Sequence, residues 1–359
     1  MAEKMKAQVY YKPGVMKLEE VDIPVLKEDE VLVIVKACGI CGSDIAYYFG
    51  KSPLETPSGE GPMILGHEFA GDIARMGEKV AASGILKTGD RVLGNPVQQC
   101  NVCAQCAQNN YNLCENKVTT GVSVDGGFAQ YVAMRYTHVL KVPDGVSYEE
   151  ASLCEPLACA CYGVKKMDIK LGDFVVIFGP GPIGLMQAQL IRSLGAGTIV
   201  MVGILDYGLK KALSVGVDKT FNTLDKKSQW YCDDIVKAIK ELSGGKMADK
   251  VIVPTPAKEA LQAALKVSGK KSIIVYFGLP SDKEILEVPL LELMMNEKIL
   301  LVSWQAPNTW DMAQKAMANK KVELSSLVTH RFPLEQLEEG LKLMNDVSKT
   351  EKIKTVITI

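Results

Sequence analysis

The sequence predicts an α/β protein in which a doubly wound parallel sheet is joined to a second, β-rich part. From about residue 160 onwards, predicted strands at 174–178 and 198–202 alternate with predicted helices. Alternation of this kind is typical of a parallel sheet with helices on both faces. Before about residue 150 the chain instead contains short β-type runs, such as 31–35 and 128–132, between Gly, Pro and Asp residues. Because 359 residues exceed what one compact core usually holds, two domains are expected.

The elements of the alternating half follow one another in a regular order. The apolar run 174–178 leads through a glycine-rich turn into a predicted helix that ends near Leu194, and the strand 198–202 leads into a helix around 209–215. Short apolar runs of this length, bounded by turn residues, indicate buried strands. The rest of the chain adds predicted strands at 251–253, 272–276 and 354–359, and predicted helices around 309–319 and 334–345.

Composition and charge exclude several classes of protein. The formal net charge is −1 and no basic stripe occurs, so no nucleic-acid partner is expected. No apolar run approaches the roughly 20 residues that a membrane helix needs, so no membrane partner is expected either. Residues 1–6 lack the apolar core of a signal peptide. Ten cysteines without an export signal favour a reducing, cytoplasmic location, where clustered cysteines usually bind metal.

Four cysteines form a compact motif in the β-rich half. Cys100, Cys103, Cys106 and Cys114 are spaced C-x2-C-x2-C-x7-C. Four thiolates at such spacing can enclose one tetrahedral Zn2+, and a site closed in this way is structural. The alternative is a chance cluster of buried or disulfide-bonded cysteines, which the reducing location disfavours.

A glycine-rich turn predicts a dinucleotide site. Gly179, Gly181, Pro182, Ile183 and Gly184 belong to a G-x-G-x-x-G motif that follows a predicted strand and opens a predicted helix. The first glycine permits the tight turn, the second lets a pyrophosphate approach the backbone, and the third allows close packing of helix on strand. The motif alone is weak, but this strand–turn–helix context makes it a strong indication.

The ribose-binding position departs from the usual pattern. An acidic residue is expected roughly 20 residues after the motif, where it binds the ribose 2′-hydroxyl, and Gly203 occupies that place. Loss of the acid would admit the 2′-phosphate of NADP, yet Ile204 and Leu205 offer no positive charge to bind it. Asp206 could turn back towards the ribose, so NAD(H) is favoured over NADP(H).

A second metal site is predicted upstream of the cysteine cluster. Cys41 is followed by Ser43 and then by His67 and Glu68, and Glu155 comes later in the chain. A catalytic zinc keeps about three protein ligands and one open position, which Cys41, His67 and a carboxylate from Glu68 or Glu155 would provide. The alternative is an ordinary loop histidine beside a core cysteine.

Seven motifs in a fixed order extend these observations to a family. They are Cys-Gly-Ser-Asp at 41–44, Gly-His-Glu-Phe-Ala-Gly at 66–71, Gly-Asp-Arg-Val at 89–92, the four-cysteine segment, Gly-Gly-Phe-Ala-Gln-Tyr at 126–131, Glu-Pro-Leu at 155–157 and Thr-His-Arg-Phe-Pro-Leu at 329–334. Over essentially its whole length the chain resembles the zinc-dependent medium-chain dehydrogenases, close to their polyol and threonine dehydrogenase branches. The resemblance implies a barrel-like, GroES-like catalytic domain at 1–160 and 297–359, and a Rossmann domain at 161–296.

The resemblance also implies roles for individual residues. Cys41 and His67 would bind the catalytic zinc, while Glu68 and Glu155 would alternate between the metal and its surroundings. Ser43 would relay the substrate proton, and Asp44 would orient His67. Zinc would polarise the substrate oxygen as a secondary alcohol and its ketone are interconverted by hydride transfer to or from the nicotinamide. Ala46 stands where the polyol branch commonly has a histidine, so the proton relay is expected to be shorter.

The substrate is predicted less sharply than the reaction. Tyr47, Tyr48, Phe49 and Trp304 are candidate pocket residues, although core packing is at least as good an interpretation of each. Because no basic residue lies in 302–310, we expect a neutral polyol or a bulkier secondary alcohol such as a hydroxysteroid. The alternative function is that of a non-catalytic, cofactor-binding or structural member of the family.

Three further expectations concern packing and assembly. The family resemblance implies a homodimer or a homotetramer. The methionine-rich segment 290–295 is expected in the core or at a subunit interface. The lysines of 349–354 are expected to be solvated.

Overall fold

The computed structural model describes residues 3–52 and 61–359 and divides them into two compact units. The first unit comprises Met1–Pro156, Trp310–Ala318 and Leu324–Ile359, and the second comprises Leu157–Thr309 and Asn319–Glu323. None of the described helices is both long enough and apolar enough to cross a membrane.

The first part of the chain is rich in short strands, as the sequence predicts. Its strands are β1 (Lys4–Lys12), β2 (Val15–Asp22), β3 (Glu30–Gly39), β4 (Met63–Ile64), β5 (Glu68–Met76), β6 (Arg91–Gly94), β7 (Val97–Gln98), β8 (Val118–Thr119), β9 (Tyr131–Arg135) and β10 (Val139–Lys141). Its helices are short: α1 (Gly42–Tyr48), α2 (Glu78–Ser83), α3 (Ala104–Ala107) and α4 (Tyr148–Ser152).

The next part alternates between helix and strand. Its helices are α5 (Cys154–Met167), α6 (Pro182–Ser193), α7 (Asp206–Ser214), α8 (Ile235–Leu242), α9 (Lys258–Val267) and α10 (Leu290–Met295). Its strands are β11 (Phe174–Phe178), β12 (Thr198–Gly203), β13 (Lys219–Asn222), β14 (Ala248–Val253), β15 (Ser268–Tyr276) and β16 (Ile299–Val302). The chain ends with α11 (Trp310–Ala318), β17 (Val328–Pro333), α12 (Leu337–Asn345) and β18 (Lys354–Thr358).

A largely antiparallel sheet forms the centre of the first unit. Its order is β10-β6-β5-β3-β18-β17, and β9 also pairs with β3. Strand β3 is mostly buried because apolar side chains fill both of its faces, as its run of valine, leucine and isoleucine predicts. Strands β3 and β5 run antiparallel with Gly39 opposite Glu68, so the end of one strand meets the start of the other.

One strand of the first unit is displaced from its predicted position. Residues 128–132 are predicted to form a short strand, but β9 occupies Tyr131–Arg135. Phe128 and Ala129 are fully buried, and Ala129 forms an isolated bridge to Ala7. Alternation of side chains predicts a strand here, whereas packing in the core determines where its ladder begins.

The second unit contains the predicted parallel sheet with helices. Its order is β13-β12-β11-β14-β15-β16, and every neighbouring pair is parallel. Strands β11, β12 and β14 are buried almost throughout, which is why they read as continuous apolar runs. The chain returns to the first unit at Trp310, later than the predicted residue 297, because β16 pairs with β15.

Candidate zinc and dinucleotide sites

Three predicted metal ligands lie together in the first unit. Cys41 precedes α1 just after β3 ends, and His67 and Glu68 lie at the start of β5. Because β3 and β5 are antiparallel neighbours, these residues from separate motifs meet at one end of the sheet. One ligand atom from each of Cys41, His67 and Glu68 lies within 4.8 Å of the other two.

Asp44 connects the two halves of this cluster. Its Oδ2 accepts a hydrogen bond of 2.8 Å from the backbone N–H of Cys41, and its Oδ1 lies 3.6 Å from His67 Nδ1. The second distance is too long for a hydrogen bond but brings the carboxylate against the imidazole. Burial lowers the pKa of His67, yet the negative charges of Asp44 and Cys41 outweigh it and raise this pKa well above its usual value.

Lys354 is an unexpected member of the site. Its Nζ lies 2.8 Å from Glu68 Oε1 and 2.5 Å from Oε2, and it also donates to the Ile40 carbonyl at 2.8 Å. The prediction that Lys354 is solvated is therefore wrong, since the residue is only 4% exposed. Burial lowers the pKa of Lys354, but Glu68 and Cys41 outweigh it, so this pKa is raised and the ammonium stays charged.

Gly39, which lies opposite Glu68, leaves room for the ion pair between Glu68 and Lys354. A Cβ atom on Gly39 would lie 2.1 Å from Glu68 Oε2 and 3.2 Å from Lys354 Cε. Any larger residue would displace the carboxylate, so the glycine at the end of β3 is a steric requirement of the site.

Glu155 and Ser43 take less central places. Glu155 is the second residue of α5, and its charge contributes to the raised pKa values of His67 and Lys354. It is not one of the three residues whose ligand atoms converge within 4.8 Å. Ser43 is the second residue of α1, half-buried, two positions after Cys41.

The cluster has the chemistry that a zinc ion requires. It offers a thiolate, an imidazole and a carboxylate, which is a common ligand combination for zinc. His67 Nδ1 and Asp44 Oδ1 are buried without a hydrogen-bond partner among the described residues. A histidine that binds metal through its other nitrogen would direct Nδ1–H towards such a carboxylate. The residues therefore fit a zinc ion.

The four predicted cysteines of the second metal site converge in the segment between β7 and β8. The Cys100–Cys106 and Cys103–Cys114 sulfur atoms are each 3.9 Å apart, and the Cys100 N–H donates to Cys114 Sγ at 3.3 Å. Two sulfurs at about 2.3 Å from one tetrahedral zinc would be about 3.8 Å apart, so the spacing fits. All ten cysteines are free thiols, and the alternative of disulfide bonds does not apply.

Electrostatics also favour a cation among these sulfurs. The backbone N–H of Val102 is the main cause that lowers the pKa of Cys100 to about 6, and the N–H of Cys106 lowers the pKa of Cys103. Burial and the neighbouring thiols raise the pKa of Cys106 to about 12. Four adjacent thiolates repel one another, so a bound cation is needed to keep all four deprotonated.

The glycine motif forms the turn that the sequence predicts. Gly179 follows β11 with φ of 120°, and Gly181 caps α6, whose first residues are Pro182 and Ile183. A Cβ on Gly184 would lie 2.0 Å from the Gly179 carbonyl oxygen, so only glycine lets the helix pack this closely. The N-terminus of α6 therefore faces the turn, where its free N–H groups can bind an anion.

Gly203 and Asp206 lie at the carboxyl end of the same sheet. Gly203 ends β12 and Asp206 opens α7. Asp206 Oδ1 accepts hydrogen bonds from Asn222 Nδ2 at 2.7 Å and from Ser228 Oγ at 2.6 Å. From the sequence, the Asp206 side chain could turn towards the ribose. In the structure it is hydrogen-bonded to Asn222 and Ser228, which no sequence motif identified.

Two of the candidate pocket aromatics belong to the core. Tyr47 and Tyr48 are only 5% and 3% exposed and pack in the core of the first unit. The hydroxyl of Tyr48 donates to Glu338, and its ring packs edge-on against Phe49 with centroids 5.0 Å apart. The burial of both residues agrees with core packing, the alternative interpretation that the sequence leaves open. Trp304 follows β16 in the second unit.

Comparison with known proteins agrees with this architecture. Residues 27–144 match the alcohol dehydrogenase GroES-like domain family, and residues 182–319 match the zinc-binding dehydrogenase family. A sorbitol dehydrogenase from Halalkalibacterium halodurans is 34% identical over 360 residues, covering 99% of each chain.

Two solved structures extend the comparison. A protein from Sinorhizobium meliloti 1021, described as a zinc-binding dehydrogenase and solved with NADP, superposes with a TM-score of 0.90 at 28% identity, covering 99% of this chain and 100% of that one. A short chain alcohol dehydrogenase from Escherichia coli CFT073, solved with NADH, gives a TM-score of 0.88 at 26% identity and covers 99% of both chains.

The chain belongs to the zinc-dependent medium-chain dehydrogenases. Its fold is the expected combination of a GroES-like domain and a Rossmann-like parallel sheet. It is an alcohol oxidoreductase with a nicotinamide cofactor and zinc.

Proposed function

We propose that the protein is an NAD(H)-linked dehydrogenase that interconverts a neutral secondary alcohol, most simply a polyol, and its ketone. The observation that carries this proposal is the buried cluster of Cys41, His67 and Glu68 with Asp44 and Lys354 around it. The similarity to a sorbitol dehydrogenase favours a polyol over the bulkier hydroxysteroid. The first unit would carry the chemistry and the second would bind the dinucleotide.

The cluster would hold the catalytic zinc through Cys41, His67 and a carboxylate of Glu68 or Glu155. Bound there, the ion would act as a Lewis acid that stabilises negative charge on the substrate oxygen. The four cysteines of the second site would hold a structural zinc, which keeps the segment between β7 and β8 folded.

The protein's own side chains would fix the donors and move the proton. Asp44 holds the backbone at Cys41 and faces His67, so it keeps both ligands oriented. Lys354 holds the Glu68 carboxylate in place through an ion pair. The Ser43 hydroxyl, two residues from Cys41, would accept the hydroxyl proton of the substrate and pass it towards solvent.

The dinucleotide would bind at the carboxyl edge of the parallel sheet. Gly179, Gly181 and Gly184 leave room for a pyrophosphate at the N-terminus of α6, and Pro182 and Ile183 begin that helix. The nicotinamide would supply the hydride acceptor. NAD(H) is favoured because Ile204 and Leu205, which follow Gly203, carry no positive charge for a 2′-phosphate.

We also infer that a second copy of the chain covers an apolar face of the second unit. Eight large apolar residues between positions 285 and 302 are 43% to 75% exposed, and α10 contains no buried residue. They are Ile285, Val288, Leu290, Leu291, Met294, Met295, Ile299 and Val302. At roughly 60–120 Å² of apolar surface per whole side chain, they expose about 400–500 Å², and an interface buries about 800 Å² per partner, over half of it apolar.

The edge strand explains why the partner would be an identical chain. Strand β16 ends the parallel sheet, and its four residues contain neither a charge nor a proline to protect that edge. Two such edges can pair about a two-fold axis, since the surface is then self-complementary. The ten free thiols favour a cytoplasmic location.

A substrate panel tests the proposed function. The panel would contain sorbitol, xylitol, 2,3-butanediol, threonine and a hydroxysteroid, each with NAD and NADP, and absorbance at about 340 nm would report turnover. We expect turnover of a polyol with NAD that is lost on chelation and restored by Zn2+. A folded, metal-replete protein that binds cofactor but oxidises nothing would favour the non-catalytic alternative instead.

A further inference from the structure

The glycine at position 203 is a consequence of the proline in the glycine-rich turn. A Cβ on Gly203 would lie 2.5 Å from Pro180 Cδ and 2.7 Å from Pro180 Cγ, closer than such atoms approach. Gly208 of α7 also packs on Pro180, since a Cβ there would lie 2.7 Å from the Pro180 carbonyl oxygen and 3.0 Å from the ring atoms Cβ and Cγ. Packing around Pro180 therefore explains why position 203 is a glycine and not an acid. The glycine does not indicate a site for a 2′-phosphate.

The carboxylate of Asp206 is held beside that position. Gly203 lies opposite Asn222 on the neighbouring strand β13, and the Thr223 N–H donates to the Gly203 carbonyl at 3.0 Å. The Asn222 side chain donates to Asp206 Oδ1 at 2.7 Å, and Ser228 donates to the same atom at 2.6 Å. Asp206 is therefore fixed at the sheet edge next to the strand end where the acid of the usual pattern would stand.

The orientation of Asn222 is itself determined. Its Oδ1 accepts the backbone N–H groups of Leu224 and Asp225, each at 2.9 Å, and the residue is fully buried. Because the oxygen is used in this way, the amide nitrogen must point to Asp206 and donate. Both hydrogen bonds to Asp206 end on Oδ1, so Asp206 acts as an acceptor and presents a preorganised carboxylate.

We propose that Asp206, positioned by Asn222 and Ser228, is the carboxylate that binds the adenosine ribose and selects a 2′-hydroxyl over a 2′-phosphate. This inference rests on the proposed dinucleotide site and names the residue that decides between its two forms. The side chains of the exposed neighbours Ile204 and Leu205 offer no donor to a phosphate.

Binding of two cofactor fragments tests the inference without turnover. Isothermal titration of the full-length protein with ADP-ribose and with 2′-phospho-ADP-ribose needs neither substrate nor catalytic metal. We expect wild-type protein to prefer ADP-ribose by at least about 30-fold, because a phosphate next to a fixed carboxylate is repelled. Asp206→Asn should reduce that preference at least about tenfold. Asp282→Asn removes an exposed carboxylate elsewhere in the second unit and should leave the preference unchanged.

A second pair of variants tests the steric contact between position 203 and the Pro180 ring. Gly203→Ala alone should weaken ADP-ribose binding at least about fivefold, because its methyl group meets the Pro180 ring. Adding Pro180→Ala should restore much of the loss, which an unrelated defect in folding would not allow.

The outcomes separate the inference from the function on which it rests. An unchanged preference in Asp206→Asn, or equal affinity of wild-type protein for the two fragments, would overturn the inference and leave the dehydrogenase intact. If folded wild-type protein bound neither fragment, the dinucleotide site itself would be wrong, and the inference with it.

Discussion

The ammonium group of Lys354 contacts both carboxylate oxygens of Glu68, at 2.8 Å and 2.5 Å, inside the first unit. The two side chains are 4% and 1% exposed, so this is a buried ion pair. Since Glu68 also belongs to the cluster with Cys41 and His67, the lysine holds the position of a carboxylate at the candidate zinc site.

Replacement of Lys354 by methionine should be strongly destabilising. It leaves the Glu68 carboxylate buried without its cation, a change that typically costs about 3–5 kcal/mol. Chemical denaturation should show this loss, and Lys349→Met, at an exposed position of the same segment, should change stability by less than about 0.5 kcal/mol. The double variant Lys354→Met/Glu68→Gln should recover part of the loss. Equal stability of Lys354→Met and wild type would show that the pair is not formed.

Removal of either central ligand should abolish turnover and leave the fold intact. Cys41→Ser and His67→Ala each remove a donor to the proposed zinc, whose stabilisation of charge is worth several kcal/mol, so turnover should fall at least about 1,000-fold. Zinc content should fall from two ions per chain to one while circular dichroism is unchanged. His330→Ala, at a half-buried histidine of β17, is the matched control and should retain activity. Full activity in Cys41→Ser would refute the assignment of the site.

The sequence predicted the members of this site better than their surroundings. Cys41 and His67 could be found because each lies in a motif whose residue types suit a metal, and the antiparallel pairing of β3 with β5 brings the motifs together. Lys354 could not be found in this way, because it is 286 residues from Glu68 in the chain and lies at the end of a lysine-rich segment. Its one signal was its place within an apolar, β-type C-terminal run, where a lysine is unexpected.

The cofactor site shows a similar limit. The glycine motif predicted the turn because the steric contacts that require each glycine lie within a few residues of it. The glycine at 203 was open to two interpretations, since the ring that excludes a side chain there belongs to Pro180, on another strand end. Likewise, the partners of Asp206 lie 16 and 22 residues away, and only the neighbouring position of β13 brings Asn222 to it.

Loss of one cysteine from the four-cysteine cluster should release the structural zinc. Cys106→Ser removes a buried ligand, so metal analysis should find one zinc per chain and thermal unfolding should occur at a lower temperature. Cys161→Ser changes a buried cysteine of α5 outside both clusters and should retain two zinc ions. Two zinc ions in purified Cys106→Ser would contradict the structural site.

The stability of the protein should depend on pH through His138. This side chain is 2% exposed and hydrogen-bonds with Gln99 at 2.8 Å, and burial is the main cause that lowers its pKa to about 4, with a smaller contribution from Arg135. An unfolded histidine has a pKa near 6.5, so between pH 6.5 and 4 the unfolded chain binds a proton that the folded protein does not. Stability is therefore lost as the pH falls through this range, by up to about 3 kcal/mol.

Denaturation at several pH values measures this contribution. His138→Gln keeps a donor for Gln99 but does not titrate, so its stability should fall less steeply between pH 6.5 and 4 than that of wild type. His330→Gln gives the effect of the same substitution on a half-buried histidine. Parallel curves for wild type and His138→Gln would show that His138 is not the group responsible.

A charge on the apolar face of α10 should separate the copies of the chain. Leu291 is 71% exposed in the second unit, and a glutamate there would place an unpaired charge in the proposed interface. Leu291→Glu should shift the protein to monomers, or raise the dissociation constant at least about 100-fold, in sedimentation velocity. Leu171→Glu introduces the same charge in the same unit at an isolated, 91% exposed leucine and should leave the assembly unchanged. An assembly that survives Leu291→Glu, or a wild-type protein that is monomeric at high concentration, would show that β16 and α10 face solvent.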